Sequence, residues 1–241
     1  MSNKNQDVAE EIDLLNVIAL RGSIYNFLSR GFSSEIDHEY LEQIRSYLPM
    51  LRELGSQTEN KAYKNAVSRI ASFMESLEDE KKLTEDYARR FVSLFLNISN
   101  EASDNINPFE SVYLSPERLV MQEPRDQVVE FYAEYGHGIS ETFHEPEDHI
   151  AAELSFLGSL NNETANDINA GKDLPEIIRK LDGQLSFIHE HLLKWLPALS
   201  RDLMHHDPEG LYGMLGELTF GFTLIDASFL ADLSGHLKTE I

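Results

Sequence analysis

The sequence predicts an all-α protein of eight or nine helices folded as a single domain over residues 1–241. Three observations carry that expectation. Apolar residues recur at three- and four-residue spacing along nearly the whole chain, no segment alternates with period two long enough to read as a strand, and no repeat appears at solenoid period. A chain of 241 residues with 41% hydrophobic content is long enough for a substantial core.

Val8, Ile12, Leu15 and Ala19 begin the first stripe, which runs to Leu28 before Gly31 offers a stop. Leu41, Ile44, Leu48 and Leu51 form the second, with Gly55 just past its end. Tyr63, Val67, Ile70, Met74 and Leu77 make a third, and Leu83, Tyr87, Phe91, Leu94 and Phe95 a fourth. From about 98 to 123 the pattern breaks, and Asn, Ser, Pro and acidic residues surround the apolar group Phe109, Val112, Tyr113 and Leu114. A connection of that length in a helical protein reads as functional or hinge-like, and it is a candidate hinge for exchanging helices between two copies in a homodimer.

A helix resumes from about Arg125 to Tyr135 and ends at Gly136 and Gly138. Pro146 then suits a first helical turn, opening a helix through Ile150, Leu154 and Leu157. Leu174, Ile178, Leu181, Leu185, Ile188 and Leu192 lead to Trp195, with a stop expected before Pro197. The last helix starts near Glu209 and turns Leu211, Leu215, Leu218, Phe222, Ile225 and Phe229 inward.

Composition excludes several classes of function. With 42 acidic and 20 basic side chains the formal net charge is −22, and the basic residues are scattered, so nucleic-acid binding by bulk attraction is not expected. The absence of cysteine removes disulfides, thiolate metal sites and thiol nucleophiles. The start of the chain is polar and acidic, without the pattern of a secretory signal, and no 18-residue uncharged stretch follows, so a soluble cytoplasmic protein with no membrane insertion is expected.

Candidate chemistry concentrates in Glu145-Pro146-Glu147-Asp148-His149 and the following Glu153. On a helix beginning at Pro146, His149 and Glu153 would share a face. This group reads as a capped helix start, as an acidic pocket for a cationic ligand, or as the Asp148, His149, Glu153 ligands of a helical metal-dependent hydrolase, to which His205-His206-Asp207 would add. Two Glu-x-x-His pairs, Glu134 with His137 and Glu141 with His144, lie in one glycine-containing stretch and cannot face each other across a bundle. His189 and His191 would point about 200° apart on a helix, a poor geometry for chelation. No Gly-x-Ser-x-Gly and no phosphate loop occur. Aromatic residues at Tyr87, Phe91 and Phe95, with Phe109 and Tyr113, would combine with the acidic cluster into an apolar groove rimmed by carboxylates, suited to a basic, apolar peptide. A plain acidic helical scaffold without a groove is the blandest reading.

Three stretches, Tyr87 to Leu96, Asn107-Pro108-Phe109-Glu110-Ser111-Val112-Tyr113-Leu114, and Glu145 through Leu154, resemble in order and spacing the TorD/DmsD/NarJ-type cytoplasmic chaperones. The third stretch is the most specific. The resemblance implies a TorD-like all-helical fold and a non-enzymatic role, without a cofactor of the protein's own. The partner would be the twin-arginine signal peptide, or the apo form, of a molybdenum- or tungsten-cofactor oxidoreductase, held until cofactor is inserted. It places peptide binding on Tyr87, Phe91, Phe95, Phe109, Glu110, Tyr113, Pro146, Asp148, His149 and Glu153. Phe109 departs from the Trp common in relatives, a change of ring size expected to alter leader choice. Nucleotide binding, associated with some relatives, is not expected without a phosphate motif.

Overall fold

The computed structural model describes residues 2–96, 105–138 and 143–239, with side chains from residue 14 onward. Ten α-helices are present among them: α1 (Ser2–Ser33), α2 (His38–Gln57), α3 (Lys61–Glu75), α4 (Glu80–Phe95), α5 (Glu110–Leu114), α6 (Glu123–Glu134), α7 (Ile150–Asn169), α8 (Leu174–Phe187), α9 (Leu193–His206) and α10 (Leu211–Leu237). A π-helical turn, Ile188–Leu192, joins α8 to α9 without a break, and α5 is a single turn. Eight long helical runs therefore build the protein, and no strand occurs among the described residues.

Short polar side chains set several helix starts by accepting an otherwise unpartnered backbone N–H. Asp37 accepts from Tyr40 at 2.8 Å, Asn60 from Tyr63 at 3.0 Å, Asp79 from Lys82 at 3.0 Å and Asp173 from Glu176 at 3.2 Å. The expected stripes of α2 and α3 are buried, including Leu41, Ile44, Leu51, Tyr63 and Ile70.

The helix ends depart from expectation in informative ways. Gly31 does not stop α1, which runs to Ser33; its role is space, because a Cβ there would collide with the Tyr40 hydroxyl. Gly55 likewise lies inside α2, and Ala19 is exposed where an inward position was expected, while Ile18, Ile24, Tyr25 and Leu28 face the core. Val8 and Ile12 lie outside the described side chains. Pro197 does not end its helix. The π-helical turn finishes at Leu192, so Pro197 falls within the first five residues of the resumed α-helix and is carried inside α9.

Helix α10 is the centre of the molecule, packed against α1, α3, α8 and α9. It is the one helix among the described residues long and apolar enough to cross a membrane by composition, and its most apolar stretch is 61% buried, as a core helix should be. Ile225 and Phe229, expected inward, are half-buried on its edge. Helices α1 and α7 lie close through Gly22 and Gly158, where a Cβ on Gly22 would come within 2.9 Å of Asn162 Oδ1 and one on Gly158 would strike Asn26. Across this interface Arg21 is buried and bonds Asp226, Asn161 at 2.7 Å and Gln184 at 2.9 Å, while Tyr25 donates to Asp226 at 2.7 Å. One guanidinium thus ties α1 to α7, α8 and α10.

Candidate functional site

Two of the three family-like stretches fold as one unit. Glu110 N–H donates to the Asp148 carbonyl and Ile150 N–H to the Pro108 carbonyl, both at 2.9 Å, so that Phe109 and His149 form an isolated antiparallel bridge. Their rings meet edge to face at 5.0 Å, and Phe143 approaches the same imidazole at 5.6 Å. The bridge fixes α5, whose first residue follows Phe109, against the start of α7. Phe109 has no side-chain acceptor to cap α5. Asp148 supplies one from across the bridge, its Oδ2 accepting from Ser111 N–H at 2.8 Å.

This geometry corrects the expected helix start. Pro146 lies in the turn before α7, where its carbonyl accepts from His149 N–H at 3.1 Å. His149 is the N-cap, with Nδ1 accepting from Ala151 N–H at 3.1 Å. An imidazole acts as acceptor only when that nitrogen is unprotonated, and burial pushes the His149 pKa down to about 3.

The carboxylates do not form an exposed rim. Glu110, Asp148 and Glu153 are at most 1% exposed, each turned toward buried donors. Glu110 lies 3.0 Å from His191 Nδ1, and Glu153 accepts from Trp195 Nε1 at 3.2 Å. Burial raises the Glu153 carboxyl well above the ordinary range, and the neighbouring charges of Glu110 and Asp148 raise it further. Asp148 is raised by burial too, an effect opposed by its hydrogen bonds from Ser111. Burial and its carboxylate neighbours thus favour the protonated form of Glu153, while Glu147, just outside, pairs with Arg125 and is held low by it.

The aromatic residues divide into two groups. Tyr87, Phe91 and Phe95 surround Tyr212 at 5.5, 6.3 and 5.1 Å. There the Tyr87 hydroxyl accepts from Leu211 N–H at 2.6 Å and Asp207 accepts from Tyr212 N–H at 3.0 Å, so both cap α10. Tyr113 packs on Trp195 at 5.5 Å and donates to Asp202 at 2.8 Å. Arg90 reaches His206 and Asp207 one turn further along the same helix, so α4 and α5 flank the end of α9. Of the ten expected residues, Phe91, Tyr113 and Pro146 are half-buried and the other seven are buried. A cleft opens beside the bridge between α1 and α7, lined by Ser29, Tyr132, His137, Phe143, Ala151 and Phe156.

The hydrolase alternative fails on this arrangement. Asp148 and His149 are spent on caps, Asp207 caps α10 and pairs with Arg90 at 2.9 Å, and His205 is exposed. Among the described residues the one group with ligand spacing is His38, Glu42 and Glu80 on the surface, where Arg45 already pairs with both carboxylates. Glu141 lies outside the described residues, and His137 pairs with Glu163 at 3.0 Å. Sequence reasoning missed His191, Trp195 and Tyr212. The available signal was the inward stripe leading to Trp195; the π-helical turn that buries His191 while leaving His189 outside had none.

Fold and site together define a non-repetitive helical protein whose family-like stretches close over buried carboxyls. Residues 56–201 match the family described as nitrate reductase delta subunit. The chain is 30% identical over 216 residues to the chaperone protein TorD of Aliivibrio salmonicida, covering 88% of this chain and 94% of that one. It is 28% identical over 215 residues to TorD of Vibrio parahaemolyticus, covering 87% and 94%, and 29% identical over 224 residues to TorD of a Vibrio cholerae strain, covering 93% and 97%. The chain belongs to the nitrate reductase delta subunit family, which includes the TorD chaperones.

Proposed function

We propose that this protein is a cytoplasmic maturation chaperone that binds the twin-arginine signal peptide, the apo form, or both, of a molybdenum- or tungsten-cofactor oxidoreductase, assisting cofactor insertion and delaying export. It acts by binding, not by catalysis. The observation that carries the reading is the closure of the second and third family-like stretches into one unit at Phe109 and His149, in a chain matched by TorD chaperones over most of its length.

The peptide-binding surface is proposed around that unit, with Phe91, Tyr113 and Pro146 meeting the peptide. Tyr87, Phe95, Phe109, Glu110, Asp148, His149 and Glu153 hold the surface in shape from beneath. The cleft walled by Phe143 and Phe156 offers space for apolar side chains. Burying three or four of them contributes roughly 1.5–3 kcal/mol apiece, and ordering a disordered leader costs about 2–5 kcal/mol. A micromolar affinity, about −8 kcal/mol, lies toward the upper end of that balance and calls for four well-buried side chains. The −22 net charge favours encounter with a basic peptide over nucleic acid or an anionic membrane.

Homodimerisation by helix exchange through the 98–123 connection belongs to the same proposal. Helices on its two sides pack on each other, α1 on α7 and α3 on α10, so exchange between two copies would keep those contacts. Light scattering reads the resulting mass.

Co-expression tests the function. A precursor oxidoreductase produced with this chain should contain more molybdenum or tungsten than the same precursor produced without it, and equal metal content in both would contradict the proposal.

A further inference from the structure

The segment from Ser115 to Gln122, which joins α5 to α6, is held at both ends. Ser115 N–H donates to the Ser111 carbonyl at 3.0 Å, Gln122 N–H to Ser111 Oγ at 3.2 Å, and the Gln122 side-chain amide to the Val120 carbonyl at 3.0 Å. Between these ties Leu119, Val120 and Met121 are 58%, 40% and 55% exposed, and Leu114 beside them is exposed as well. Arg118 and Met121 have φ of 53° and 61°, conformations that residues other than glycine rarely adopt. A single exposed leucine is ordinary; four large apolar side chains within eight residues, on a segment fixed in place, form a patch.

A groove runs alongside, lined by Leu114, Pro116, Glu117, Gln122, Glu123 and Pro124. Glu117 and Glu123 are exposed, and neither forms an ion pair among the described residues. Charge selects the occupant. A second copy of a chain with net charge −22 would set like carboxylates against these two, and an anionic lipid surface would be repelled in the same way. An apolar segment that also carries basic residues meets both the patch and these two carboxylates, of which Glu123 also accepts from Gln127 Nε2 at 3.2 Å.

We propose that the 115–122 loop is a docking surface for the client's leader peptide, its apolar run lying on Leu119, Val120 and Met121 and its basic residues facing Glu117 and Glu123. The proposal rests on the chaperone reading above and adds residues that the family-like pattern did not assign. The loop leads directly from α5, the element that the Phe109–His149 bridge holds.

The test is titration of a synthetic twin-arginine leader into the full chain and three variants. Leu119→Ser with Met121→Ser should raise Kd at least tenfold. Glu117→Gln with Glu123→Gln should raise it about threefold at low salt and reduce its salt dependence, the remaining net charge of the chain keeping the rest. Leu224→Ser, at an exposed apolar position on α10, should leave it unchanged. In the unaltered chain, a photo-crosslinker in the leader's apolar run should label residues 119–121, which frees the test from the folding of any variant. Wild-type Kd in both loop variants, or crosslinks elsewhere, would overturn the loop proposal and leave the chaperone reading standing. A loop variant that loses only a leaderless apoenzyme, or only self-association, would overturn the assigned occupant. A wild-type chain that binds no leader would overturn the leader proposal at its base.

Discussion

Phe109 and His149, forty residues apart, pair as an antiparallel bridge with their rings 5.0 Å apart, and each begins a helix: Phe109 stands at the start of α5 and His149 caps α7. Residues between the two therefore hang from a fixed pair of points. Two backbone hydrogen bonds and the buried Asp148 carboxylate join α5 to the start of α7.

Asp148 is the first test of that coupling. Its carboxylate caps α5 from the opposite segment, so Asp148→Ala should cost about 1–2 kcal/mol in urea unfolding. Asp148→Asn, which keeps an acceptor oxygen, should retain most of that stability. Equal losses in the two variants would assign the effect to charge and not to the cap.

His149 should control the acid limb of stability. The folded ring takes up a proton only near pH 3, whereas the unfolded ring does so near 6.5. Between those values the unfolded state binds more protons, so stability is full above pH 6.5 and falls as pH drops, by roughly 1.4 kcal/mol per unit from this group. His149→Asn keeps a side-chain cap and does not titrate; its stability between pH 6.5 and 4 should fall less steeply than that of the wild type in parallel denaturant series.

Glu153 should act in the opposite sense. Its folded carboxyl stays protonated well above the unfolded value of 4.5, so the folded state binds more protons over that window and stability declines as pH rises through it. Glu153→Gln, still able to accept from Trp195, should match wild type near pH 4 and exceed it at pH 7. Thermal unfolding at the two pH values reads the difference, and a variant less stable than wild type at pH 7 would mean that the carboxylate is needed charged.

The Arg21–Asp226 pair is buried on both sides. Arg21→Met alone leaves Asp226 without its cation and should cost about 3–5 kcal/mol. The double variant with Asp226→Leu should recover a large part of it, which a double-mutant cycle measures.

Helix type and order were legible in the sequence because they rest on local spacing: the stripes of α2 and α3 are buried faces, and that of α4 is buried at Tyr87, Leu94 and Phe95 with Leu83 and Phe91 half-buried. Helix ends were less so: Gly31 serves space between helices, where a Cβ would meet the Tyr40 hydroxyl, and Gly55 is carried inside α2, and neither role shows in the spacing within one helix. Pro197 misled for a related reason, as a π-helical turn upstream resets the register. The site was legible as residues and not as roles. Glu110, Asp148 and Glu153 stand out as an acidic group, yet their burial follows from the bridge to Phe109 and from Trp195 and His191, contacts between residues about 40 to 80 positions apart. Spacing within one helix carries no information about such contacts.

The most direct measurement is isothermal titration of the purified chain with a panel of twin-arginine leader peptides and a scrambled control. Saturable one-to-one binding of one leader in the micromolar range, weakened by salt and absent for the scrambled peptide, is the result this account predicts. Equal binding of leader and scrambled control, or no binding to any leader, would contradict leader recognition and leave the apo form as the client surface.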